Sequence, residues 1–153
     1  MTPMQTEQLK REHLPAVAAL EKLCFAEPWS ERALEWLLSN EAVGVVALTE
    51  NNVIGYGGML IAPKEGQITN VAVHPDCRRL GGGRAIVSAL LREAANRRLE
   101  SVSLEVRQSN LPAIALYERL GFEKVGVRKH FYKHPAEDAL VMTRVLAEVP
   151  KEN

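Results

Sequence analysis

The run Arg78-Arg79-Leu80-Gly81-Gly82-Gly83-Arg84 concentrates what this chain offers for binding chemistry. Glycines let the backbone approach a ligand closely and aim several N–H groups at one point. A helix starting there adds the positive end of its dipole, and the two together make an anion site. Local charge agrees: from Arg78 to Arg98 six arginines stand against one glutamate, net +5. No Gly-Lys-Ser/Thr follows, so this is not a Walker loop, and the GxGxxG spacing of a dinucleotide fingerprint is missing. Taken alone, the loop reads equally as a flexible turn before an exposed, arginine-rich helix. His13, His74, His130 and His134 lack ligand spacing, and no metal is expected. Cys24 and Cys77 form no CxxC pair, which argues against a disulfide scaffold and for a reducing, cytoplasmic setting.

The elements that must position this loop follow from hydrophobic periodicity. A short extended segment, 4–9, precedes a helix over 13–25 on which Leu14, Val17, Ala18, Cys24 and Phe25 recur near helical spacing. Pro28 breaks it, Ser30 caps a second helix, and Leu34, Leu37 and Leu38 give that helix its apolar face. Residues 43–49 and 53–61 form a hairpin about Asn51-Asn52, and a strand over 67–73 is closed by Pro75. The glycine triplet opens a helix reaching about residue 98, with Ile86, Leu90, Leu91 and Ala94 inward. Over 101–107 Val102, Leu104 and Val106 share one face, and Ser103, Glu105 and Arg107 share the other. Asn110 or Ser109 caps the next helix and Gly121 ends it. Strands over 122–127 and 139–146 flank a loop at 128–138. The order β-α-α-β-β-β-α-β-α-β-β predicts an α/β (α+β) fold in three layers about a mainly antiparallel sheet.

Composition bounds the rest. One hundred and fifty-three residues, 46% hydrophobic and 25% charged, suit one globular domain over 1–153, with 148–153 as a loose tail. Nineteen basic residues cancel nineteen acidic ones, so no whole-chain field draws the protein to nucleic acid or membrane. No run approaches the ~18 apolar residues of a membrane span, and the polar first eight residues do not resemble a signal peptide.

Several segments, taken in order, resemble the GNAT acetyltransferase family. Arg78-x-x-Gly81-x-Gly83 is similar to its acetyl-CoA signature, R/Q-x-x-G-x-G/A, and follows a strand ending Asn70-Val71-Ala72-Val73-His74-Pro75. Leu104-Glu105-Val106-Arg107-x-Ser109-Asn110 and Ala113-Ile114-Ala115-Leu116-Tyr117-Glu118-Arg119-Leu120-Gly121-Phe122 resemble its closing motif. With Pro28-Trp29-Ser30 and Glu137-Asp138-Ala139, the likeness narrows to the subgroup of ribosomal-protein-alanine N-acetyltransferases and spans about residues 5 to 146.

The resemblance implies a sheet whose two central strands splay apart and a direct acetyl transfer from acetyl-CoA to an amine in a ternary complex. It implies that backbone amides of Arg79, Gly81, Gly82, Gly83 and Arg84 cradle the diphosphate, with Arg78 in the same signature. Val71, Ala72 and Val73 would carry the pantetheine arm along their strand, and Asn110 would bond its amides or simply cap a helix. Glu105 becomes the candidate general base; the alternative is a surface glutamate paired with Arg107 or Arg119. Tyr117 becomes the candidate general acid at the cofactor's sulfur; the alternative is a core tyrosine on the Ile114–Leu120 stripe. Trp29, Glu105, Phe131 and Tyr132 would border the acceptor. The acceptor implied is the amino terminus of a ribosomal protein. A small-molecule amine and a non-catalytic acyl-CoA-binding domain are the competing functions.

Overall fold

A computed structural model describes residues 4–146 of the chain. The tail expected at 148–153 lies outside the described residues. Seven strands form one sheet in the order β1-β2-β3-β4-β5-β7-β6: β1 Gln5–Gln8, β2 Ala42–Thr49, β3 Asn52–Ile61, β4 Glu65–Val73, β5 Ser101–Arg107, β6 Glu123–Lys133 and β7 Ala136–Val145. Four helices cover it: α1 Leu14–Cys24, α2 Glu31–Leu34, α3 Gly82–Asn96 and α4 Leu111–Arg119.

Strand β2 shows why three layers form. Its alternation sends Val43, Val45 and Ala47 into one core with Ile86, Val87 and Leu90 of α3. Ala42, Val46 and Leu48 go into a second core with Leu14, Val17 and Leu20 of α1. Residues 42–48 are therefore buried on both faces of the sheet. Strand β3 lets α3 lie close, because a Cβ at Gly57 would collide with Ile86.

The sequence order of elements holds, with two corrections. The second helix is one turn, α2, continuing as a 3₁₀ turn over Glu35–Leu38. The loop expected at 128–138 is mostly strand: β6 runs to Lys133 and β7 begins at Ala136. Its register slips between Arg128 and Tyr132, where His130 takes φ +57°. That irregularity disguised the strand, because it breaks the two-residue period that signals one.

All strand pairs are antiparallel except β4–β5. This pair is also the shortest: Glu65, Gly66 and Gln67 face Ser101, Val102 and Ser103, and pairing then stops. Strand β4 stays with β3 out to Val73, and β5 stays with β7 out to Arg107. The sheet thus forks beyond Gln67 and Ser103, as the resemblance implies.

Candidate functional site

The fork leaves backbone groups unclaimed. The His74 N–H donates to the Ile54 carbonyl at 2.7 Å, so alternation turns the backbone of Val73 and Val71 away from β3, towards the fork. The Val73 carbonyl already accepts from Arg78 Nε at 3.3 Å and Cys24 Sγ at 3.5 Å. Ala72 instead packs in the core beneath α1.

At the end of β4, Pro75–Leu80 makes a 3₁₀ turn and Gly81 takes φ +82° as the residue preceding α3. The turn is therefore structured. A Cβ at Gly81 would project into open space, which is the form of a backbone cradle. Its two neighbours differ. A Cβ on Gly82 would sit 3.3 Å from Val73, and one on Gly83 3.2 Å from Leu116 of α4, so both glycines serve close packing. Arg79 and Arg84 are exposed beside this turn.

On the other arm of the fork, Val102, Leu104 and Val106 enter the α3 core, which puts Glu105 on the opposite face. Its carboxylate pairs with neither Arg107 nor Arg119. Both of its oxygens accept from the amide of Gln67, at 3.1 and 2.6 Å. Arg107 is engaged elsewhere: it bonds Glu137 at 3.2 Å and the carbonyls of His134 and Pro135, and lies 4.2 Å over the Tyr132 ring. The Glu137 carboxyl also accepts from the Ser109 N–H at 2.6 Å. Hydrogen bonding from Ser109, and then from Arg107, holds Glu137 below the usual carboxylate range. The β6–β7 turn is thereby tied to the end of β5. Burial pushes the Tyr132 phenol up and Glu105 adds to the rise, while Arg107 opposes it.

Tyr117 is 9% exposed and packs edge-on to Phe122, ring centres 5.7 Å apart. Burial first, and the nearby Tyr132 second, push its phenol up to about 12. Asn110 Oδ1 accepts from the Ala113 N–H at 3.3 Å and so caps α4. Phe131 of β6 stands edge-on to Tyr132 at 5.0 Å and is half-exposed. Trp29 lies in the segment between α1 and α2, where Pro28, Trp29, Ser30, Ala33 and Trp36 line a hollow of about 510 Å³. This segment meets the β6–β7 turn where His134 Nε2 lies 3.3 Å from Glu27.

Sequence reasoning passed over Gln67 and three residues behind it. Glu21 of α1 is fully buried and accepts from Tyr56 Oη at 2.5 Å, Asn70 Nδ2 at 3.0 Å and the Trp29 N–H at 2.8 Å. The signal was available: Glu21 falls four residues after Val17, an acid on an otherwise apolar stripe. Desolvation, with Glu21 beside it, drives the Tyr56 phenol well above its ordinary value. Among the described residues no three His, Cys, Asp or Glu side chains gather as metal ligands, and no helix is long and apolar enough to cross a membrane.

Comparison with known proteins bears on this geometry. Residues 9–122 match the acetyltransferase (GNAT) family. The chain is 36% identical to the [ribosomal protein bS18]-alanine N-acetyltransferase of Escherichia coli (strain K12), over 88% of this chain and 92% of that protein. It is 38% identical to an N-alpha-acetyltransferase of Sulfurisphaera tokodaii, covering 74% of this chain and 75% of that one. Among solved structures, the ribosomal-protein-S18-alanine N-acetyltransferase from Escherichia coli superposes with a TM-score of 0.91 at 29% identity, covering 99% of each chain.

Proposed function

The chain belongs to the GNAT acetyltransferase family, and from that premise we propose that it acetylates the amino-terminal α-amine of a protein with acetyl-CoA. The acceptor is the amino-terminal alanine of a ribosomal protein. What carries this reading is the 36% identity, over nearly the whole of both chains, to an enzyme named for that reaction. We read residues 1–153 as one catalytic domain working in the cytoplasm.

The fork suits acetyl-CoA. The backbone of Val71 and the N–H of Val73 face the fork and can take a pantetheine arm as an added strand, and the open face of Gly81 can take a diphosphate at the start of α3. Bound there, acetyl-CoA supplies an activated acetyl thioester. The protein's own residues then have two tasks, one at the amine and one at the sulfur.

At the amine, Glu105 takes the proton that leaves the ammonium, directly or through a water. The demand is modest. An α-amine of pKa ~7.7–8.0 is roughly a tenth neutral at pH 7, against roughly 0.04% of a lysine at ~10.4. At the sulfur, Tyr117 remains protonated and donates. With its phenol at about 12, complete transfer to a thiolate of pKa ~8.5 is uphill by about 5 kcal/mol. Its part is thus a hydrogen bond to the sulfur as negative charge develops there.

Turnover of acetyl-CoA against a panel of peptides and small amines tests the reading. Peptides with a free amino-terminal alanine should lead the panel. Activity confined to aminoglycosides, polyamines or free amino acids would favour the small-molecule alternative, and no turnover at all would favour a binding domain.

A further inference from the structure

The segment 25–30 carries Trp29, an expected acceptor residue, whose half-buried ring packs against the α1 core while the segment makes few hydrogen bonds. The Phe25 N–H closes α1 on the Glu21 carbonyl, and Ser30 caps α2 through its hydroxyl. Towards the β6–β7 turn, the Glu27–His134 pair is exposed and weak. Among the described residues, the segment's only hydrogen bond from beyond its helix ends into the core is the Trp29 N–H to Glu21 Oε1.

The other oxygen of Glu21 looks towards the cofactor side. It accepts from Tyr56 of β3 and from Asn70 of β4, the residue directly before Val71. Asn70 Nδ2 also reaches Tyr56 Oη at 2.9 Å, closing a triangle. No cation among the described residues lies within ion-pairing distance of Glu21. A buried carboxylate met only by neutral donors is poor economy for stability, since an apolar residue would fill the space without desolvation. What an apolar residue could not do is fix the distance between the Trp29 backbone and the β4 arm of the fork.

We propose that Glu21 is a positioning residue for the acceptor: its two oxygens fix the Trp29 segment against the strand that carries the cofactor. This rests on the amino-terminal acetyltransferase reading given above. Glu21→Gln is nearly isosteric but keeps one accepting oxygen and turns an NH₂ towards groups that are themselves donors. The test combines steady-state kinetics on an alanine-initiated peptide with hydrogen exchange, comparing wild type, Glu21→Gln and Tyr56→Phe.

Glu21→Gln should raise KM for the peptide ~10-fold or more, with kcat and KM for acetyl-CoA within ~3-fold. Exchange should quicken across 25–30 while 70–73 stays protected. Tyr56→Phe leaves the Trp29 N–H its acceptor, so it should lower Tm yet leave peptide KM within ~3-fold. An unchanged peptide KM in a folded Glu21→Gln enzyme would overturn the proposal, as would exchange that rises uniformly. So would equal KM changes in both variants. Should wild type acetylate only small amines, the amino-terminal reading falls instead, and exchange at 25–30 alone decides whether Glu21 fastens this segment.

Discussion

The side-chain amide of Gln67 donates to both carboxylate oxygens of Glu105 at the point where β4 and β5 part. Gln67 is the last residue of β4 paired with β5, and Glu105 lies two residues beyond its partner Ser103. The fork thus presents a carboxylate whose direction is set from the opposite strand. If Glu105 is the base and Gln67 aims it, their losses must overlap. Gln67→Leu should lower kcat/KM ~10-fold in wild type and almost nothing further in a Glu105→Gln background. Fully additive losses in that cycle would separate the two residues.

Tyr117→Phe keeps the ring against Phe122 and removes only the hydroxyl. As a donor to the leaving sulfur, Tyr117 predicts a fall in kcat of ~10²-fold or more. Peptide KM and thermal stability should hardly move. Near-normal kcat would make Tyr117 a packing residue.

All three tyrosines, Tyr56, Tyr117 and Tyr132, hold their protons more tightly in the fold than a free phenol, chiefly through burial. Each raised value stabilises the fold fully below the unfolded pKa of ~10, and that stability is lost as pH climbs through the folded value. Tyrosinate absorbance in the native protein at pH ~10 should therefore fall short of the half ionisation that a free phenol shows there. The rest should appear together with unfolding as pH rises further. Half ionisation of all three tyrosines near pH 10 in folded protein would contradict the burial described here.

How much of this was legible beforehand depends on where the information lies. The alternation of Val102, Leu104 and Val106 gave the facing of Glu105 from sequence alone, since a strand's period is local. The fork was foreseen only through family resemblance, because it depends on which strands pair and where pairing stops. Gln67 and the partners of Glu21 were passed over for the same reason. Gln67 meets Glu105 from 38 residues away, and Glu21 meets Asn70 across 49. Gly83 shows the converse: the motif marks it as cofactor-binding, and only the fold shows that a Cβ there would also sit 3.2 Å from the Leu116 side chain.

That contrast makes the glycines a test. Gly81→Val places a branched side chain in the open cradle, at a φ that disfavours it. Affinity for acetyl-CoA should fall at least ~10-fold by calorimetry, about 1.4 kcal/mol. Unchanged affinity in folded Gly81→Val protein would move the diphosphate site elsewhere. Gly83→Val pushes on a flexible leucine, so the same loss there would come with a lower Tm.

Whether the acceptor is an α-amine is decided by one paired measurement. Acetyl transfer at pH 7 is compared between a peptide with a free amino-terminal alanine and the same peptide with that terminus blocked and a lysine left free. The lysine must shed a proton held ~2.5 pKa units more tightly, a difference of about 3.4 kcal/mol at equal reactivity. An α-amine acceptor predicts rapid acetylation of the first peptide and at most slow acetylation of the second. Equal rates on the two peptides would contradict it.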